Sequence, residues 1–133
     1  MNKNCKLVCF LLILFANSLL FCSPKKTVKQ IFDEGVEYQL DENWYAAAQN
    51  YLEVVNQNPA FSQAWFNLAE CSYKLEEFDL ALTYLQNAEK YEKNNSKVQN
   101  LKGMILLALG EKDKALEVFN QVLAVYPNDI DAH

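Results

Sequence analysis

Apolar side chains recur along this chain at intervals of three and four, with polar residues between them. That period gathers each apolar set onto one face of a helix. Six such stretches follow one another, near residues 26–40, 43–57, 61–74, 78–92, 96–109 and 112–126. No run alternates polar and apolar residues at period two, so no strand is predicted. The breaks agree with the period. Pro59 and Pro127 lack the N–H that a continuing helix needs, so a helix ends at or before each. Asn58 and the run Asn94-Asn95-Ser96 supply polar stop and start positions. The clearest pair of helices lies between Ser62 and Asn95. Trp65, Leu68 and Ala69 mark its first helix, and Phe78, Ala81, Leu85 and Ala88 its second. A turn around Leu75-Glu76-Glu77 joins them.

A shift of 34 residues in either direction brings the same small and large positions back. Three units follow without a gap, at 28–61, 62–95 and 96–129. The eighth position of each is Gly35, Ala69 or Gly103, and the twentieth is Ala47, Ala81 or Ala115. The twenty-fourth is Tyr51, Leu85 or Phe119. Small residues at the eighth and twentieth positions fit where two helices of a hairpin cross, since a larger side chain would push the axes apart. A period in this range indicates a stacked helical array. The pattern resembles the tetratricopeptide repeat family over Val28 to Asp129. That resemblance implies an all-α, right-handed solenoid of three helix-turn-helix hairpins. The chain departs from the family at Glu34 and Lys102 (seventh position), Gln99 (fourth), Ser72 (eleventh), Lys112 (seventeenth) and Lys93 (closing Pro).

Residues 1–23 stand apart from the repeats. Lys3 and Lys6 precede an apolar run from Leu7 to Phe21, broken only by Asn17 and Ser18. A basic segment followed by about 15 apolar residues reads as an export leader. Ala16-Asn17-Ser18 offers a peptidase site, and Leu19-Leu20-Phe21-Cys22 resembles a bacterial lipobox with Cys22 as the lipidated residue. An uncleaved membrane anchor is the third alternative. The expected location is therefore the periplasm or a membrane-attached cell envelope. Any attachment to the membrane is expected to come from the leader alone.

Charge supports that division. The whole chain carries a net −5, and all 12 basic residues are Lys. Loss of Lys3 and Lys6 would leave 10 Lys against 17 acidic residues, a net of −7. Such a surface repels phosphate backbones and anionic headgroups, so no nucleic-acid partner is expected. Of the four cysteines only Cys71 lies outside the leader, and a single thiol makes no internal disulfide.

The residue types that carry chemistry are scarce. The one histidine, His133, lacks a partner at metal-ligand spacing, and no Gly-rich phosphate loop occurs. Acidic pairs such as Asp41-Glu42 and Glu76-Glu77 fall at turns and read as solvated surface. The expectation is a protein without catalytic activity, metal or cofactor.

What the resemblance implies instead is a groove lined by the first helices. Its family positions carry over to Phe32, Val36 and Gln39; to Gln63, Phe66, Asn67, Glu70, Tyr73 and Lys74; and to Lys97, Asn100, Met104 and Leu107. Some family members grip a C-terminal carboxylate with Lys and Asn at fixed groove positions. Only Asn67 and Lys97 match that set here, and Phe32 and Val36 occupy the first two places. The expected partner is another protein, presented as a peptide or helix. The last four residues, 130–133, match the opening of a further unit. An alternative expectation follows, in which the outer side of the last hairpin (Leu116, Phe119, Val122, Leu123 and Tyr126) is uncovered and mediates oligomerisation or docking into a larger assembly.

Overall fold

The computed structural model describes residues 24–125. Among these it contains six α-helices and no strand: α1 Val28–Leu40, α2 Trp44–Gln57, α3 Ser62–Lys74, α4 Phe78–Tyr91, α5 Ser96–Ala108 and α6 Lys112–Val125. The leader, with Cys22, and the last residues from Tyr126 onward lie outside the described residues. Each predicted helix is present, with ends displaced by at most two residues. The first starts at Val28 rather than near 26 because Thr27 caps it. The Thr27 hydroxyl accepts from the Gln30 amide at 3.2 Å, and Gln30 Oε1 accepts from the Thr27 amide at 2.9 Å. Asn95 caps α5 in the same spirit, with Oδ1 accepting from Lys97 N at 2.9 Å.

The three hairpin turns are one structure repeated. Glu42, Glu76 and Gly110 occupy the same unit position, with φ of 55°, 61° and 80°. In each turn the following amide closes back onto the helix: Asn43 N to Tyr38 O, Glu77 N to Ser72 O, and Glu111 N to Leu106 O, all 2.8 Å. Left-handed backbone of this kind is the usual helix stop and suits glycine best. Helix α4 ends where α2 does, although Lys93 stands where Pro59 stood. Asn94 at φ 60° turns the chain there, a conformation asparagine tolerates.

The hairpins close on their small residues. Ala47, Ala81 and Ala115 are fully buried. A methyl group added at Gly35 would lie 2.8 Å from the Tyr51 ring, and one at Gly103 would lie 2.5 Å from the Phe119 ring. Glycine therefore faces an aromatic ring in the first and third hairpins. In the second, Ala69 shares a cluster with the smaller Leu85. The two positions exchange volume between units and keep the crossing close-packed.

Neighbouring hairpins then bury their shared faces. Between the first and second hairpins Val55, Trp65 and Leu68 belong to one apolar cluster, and the Trp65 indole N–H donates to the Pro59 carbonyl at 2.8 Å. The equivalent positions between the second and third hairpins are Glu89, Gln99 and Lys102. Gln99 Nε2 donates to Glu89 Oε1 at 2.6 Å, and Lys102 Nζ reaches the same oxygen at 3.3 Å.

Candidate partner-binding groove

Helices α1, α3 and α5 carry the residues expected to line a groove, and the structure sorts those residues into two groups. The first group is drawn inward. Phe32 stacks on Phe61 with ring centroids 4.8 Å apart and meets Tyr51 at 5.4 Å. Val36 packs against the same core cluster. Both are half-buried, and neither borders the cleft between α3 and α5. An aromatic at the fifth position of the first unit finds Phe61, the last residue before α3, within stacking distance.

Gln39 is a bridge. Its side-chain oxygen accepts from the Tyr51 hydroxyl at 2.7 Å, and its Nε2 donates to Glu70 Oε2 at 2.7 Å. The chain Tyr51–Gln39–Glu70 thus fixes a carboxylate at the groove floor through a buried ring. Burial pushes the Tyr51 hydroxyl up to about 12, and a hydrogen bond with Asn67 works the other way. Asn67 is itself buried, and its Oδ1 accepts from Gln63 Nε2 at 2.7 Å.

The second group comes together around a shallow cleft of about 260 Å³ between α3 and α5. Phe66, Glu70, Tyr73 and Lys74 face Lys97, Asn100 and Met104 across it. Leu101, absent from the sequence expectation, completes the floor. Its place in the unit is filled by Asp33 and Asn67 in the other two, so the same position is polar in two units and apolar in the third. Tyr73 is held by Phe78, centroids 5.8 Å apart, and the Lys74 ammonium lies 5.6 Å over the Trp44 ring. Trp44 was also missed, since it sits on a second helix and reaches the groove only through Lys74. Lys97 makes no ion pair with another described residue, and Met104 and Leu107 are exposed. Two cations therefore flank an apolar floor in a chain of negative net charge.

The last hairpin divides differently from its expectation. Leu116 and Leu123 are open, at 60% and 42% exposure. Val122 is buried at 7%, and Phe119 lies against Gly103, so both belong inside the hairpin rather than on its outer face. Tyr126 falls outside the described residues.

Cys71 is fully buried, and burial first and then the Glu70 charge push its thiol up to about 12. A thiol so held is a packing element at neutral pH. Among the described residues no group of three or more His, Cys, Asp or Glu is placed to hold a metal ion. No helix of the described residues is long and apolar enough to cross a membrane.

Stacked hairpins with small residues at every crossing and a lined concave face define a helical-repeat protein. The family described as tetratricopeptide repeat matches residues 39–105 and 80–133. The chain belongs to the tetratricopeptide repeat family. It is similar to the TPR repeat-containing protein MJ1428 of Methanocaldococcus jannaschii, 37% identical over 75 residues, which is 56% of this chain and 13% of that protein. It is also similar to Hsp70-Hsp90 organizing protein 1 of Glycine max, 27% identical over 104 residues, covering 78% of this chain and 18% of that one. The chain thus spans less than a fifth of the length of either relative. Among solved structures, MamA superposes with a TM-score of 0.76 at 21% identity, over 87% of this chain and 67% of MamA. The TPR2B domain of yeast Sti1, solved as a pHsp70 complex, gives 0.72 at 22% identity over 78% and 83%. The first TPR of Spaghetti (RPAP3), bound to an HSP90 peptide, gives 0.72 at 20% identity over 77% and 81%. These likenesses establish the solenoid fold.

Proposed function

We propose that the chain is a non-catalytic protein-interaction module of the cell envelope, receiving a partner segment across α3 and α5. The observation that carries this reading is the cleft itself. Phe66, Leu101 and Met104 form an apolar floor, with Lys74 and Lys97 at its edges and Glu70 fixed beside it. A segment that pairs an apolar side chain with a carboxylate meets both needs of that surface. Relatives and structural neighbours named for chaperone complexes support a peptide partner as the class. They do not carry over the carboxylate-gripping set, because Asn67 is buried against Gln63 and the first two places hold Phe32 and Val36. The envelope location rests on the sequence of residues 1–23, and intact mass of the native protein distinguishes cleavage, lipidation at Cys22 and retention of the leader.

The test is capture of partners by the chain and by Lys97→Glu and Met104→Asp variants. Both side chains are exposed, so the fold tolerates the change. Loss of the captured protein by both variants is expected. Equal capture by all three would remove the groove from the account. A second reading is favoured by the open Leu116 and Leu123, which would dock the last hairpin on another copy or a larger assembly. Solution mass measured against concentration decides it. A strict monomer at high concentration would remove self-association.

A further inference from the structure

The junction between the second and third hairpins differs in kind from the one before it. Each hairpin of such an array is held by its neighbours, so the weakest junction decides where the array comes apart. At the first junction Val55, Trp65 and Leu68 share one apolar cluster, and the Trp65 ring reaches Tyr84 at 5.9 Å. At the second junction the same three places hold Glu89, Gln99 and Lys102. These satisfy one another, at 2.6 and 3.3 Å, but they do not fill the volume of an indole and a leucine. What remains is an open cleft of about 520 Å³, floored by Val122 and edged by Ser96 and Gln121. A half-buried ion pair at 3.3 Å contributes little net, since desolvation offsets its attraction, whereas the apolar set in the same places contributes by burial. Elsewhere in the same junction Ala88, Leu101 and Ile105 share an apolar cluster, and Leu82 of α4 packs against Leu106 and Val118 of the third hairpin. The junction therefore keeps apolar packing through Leu82, Ala88, Leu101 and Ile105 and is polar where Glu89, Gln99 and Lys102 meet.

We propose that the third hairpin, α5 with α6, opens as a unit about this junction while the first two stay together. One wall of the groove (Lys97, Asn100 and Met104) rides on α5, and the other (Phe66, Tyr73 and Lys74) stays on α3. Opening at the polar contact changes the spacing of the two walls and lets the groove accept segments of different girth. That consequence for binding rests on the groove reading above; the opening itself does not.

The chain carries its own reporters. Both tryptophans, Trp44 and Trp65, lie in the first two hairpins, while far-ultraviolet circular dichroism reads all six helices. In a urea titration of the full chain the dichroism is expected to fall first, losing roughly a third of its amplitude before the fluorescence changes. Superimposable curves would overturn the proposal. Hydrogen exchange gives the same comparison by segment, with amides of α5 and α6 expected to exchange at least roughly tenfold faster than those of α2 and α3. The first hairpin, which also has a described neighbour on one side only, is the control for simple end fraying. The triple variant E89V/Q99F/K102L gives the second junction apolar chemistry like the first, without adding a tryptophan. It is expected to bring the two urea curves together and the exchange rates to within roughly threefold. A folded variant that keeps the split would overturn the proposal. Where that variant does not fold, the wild-type curves decide alone. No partner is used in either measurement, so failure here leaves the groove reading standing, and loss of the groove leaves these curves unchanged.

Discussion

Gly103 sits at the tightest glycine–ring contact of the described residues. Built on the backbone, a methyl group there would lie 2.5 Å from both Cε1 and Cζ of Phe119, whereas ordinary contact begins at 3.4 Å. Two effects then oppose each other in Gly103→Ala. Alanine in mid-helix gains about 1 kcal/mol over glycine from backbone entropy. Overpacking a close-packed crossing costs about 1–3 kcal/mol, and a shortfall near 1 Å against a ring puts the cost in the upper part of that range. Overpacking wins, and a net loss of about 1–2 kcal/mol is expected. The second hairpin shows the remedy, since Ala69 there stands with Leu85. Phe119→Leu alone should cost about 1–2 kcal/mol, because it leaves a space opposite glycine. Added to that background, Gly103→Ala should stabilise by about 1 kcal/mol. The sign of one substitution therefore reverses with its partner, a coupling of about 2–3 kcal/mol. Urea unfolding of the four proteins, followed by circular dichroism, measures it. A Gly103→Ala effect equal in both backgrounds to within about 0.5 kcal/mol would refute the volume exchange.

Other outcomes follow from particular contacts. Glu42→Gly and Glu76→Gly relieve left-handed backbone at the two turns that lack glycine and should each stabilise by about 0.5–1 kcal/mol, read as a higher urea midpoint. Gly110→Ala, at φ 80° with open space around it, should lose about 1 kcal/mol through backbone strain alone. Thr27→Ala removes the capping box of α1 and should cost about 1 kcal/mol by the same assay. The fold holds the Cys71 thiol and the Tyr51 hydroxyl neutral, each up to about 12 from ordinary values of 9.0 and 10.0. The unfolded chain ionises them earlier, so the stability they contribute is full below about pH 9 and is lost as pH rises from there to about 12. Urea midpoints at pH 8, 9.5 and 11 should fall in that order, and Tyr51→Phe should flatten the upper step. A flat profile in the wild type would contradict the burial of both groups.

The register was legible because it rests on residues whose size alone decides the packing. Gly35, Ala47, Ala69, Ala81, Gly103 and Ala115 cannot be exchanged for large side chains without separating two helices, so the sequence must keep them small. The helix stops were nearly as plain, since proline and the capping residues act through local backbone chemistry. The groove was less so. Phe32 and Phe66 stand at the same unit position, yet Phe32 turns onto Phe61 while Phe66 lines the cleft. What separates them is the last residue of the unit, Phe61 in the first and Asn95 in the second, which lies between helices and enters no periodicity within one helix. Phe119 and Val122 were placed on an outer face for the same reason: the helix period gives two apolar flanks to α6 and does not say which meets Gly103. The polar junction could have been read in advance, because Glu89, Gln99 and Lys102 stand at the unit positions of Val55, Trp65 and Leu68. Its signal lay in comparing units at the interface rather than within a helix.

Where a partner lies separates the groove from the last hairpin, and the chain's own lysines can report it. Lys74 and Lys97 border the cleft between α3 and α5, while Lys112 and Lys114 lie on the last hairpin. Amine-directed cross-linking of the full chain with its captured partner should join the partner to Lys74 and Lys97. Cross-links confined to Lys112 and Lys114 would place the partner on the outer hairpin and contradict the groove.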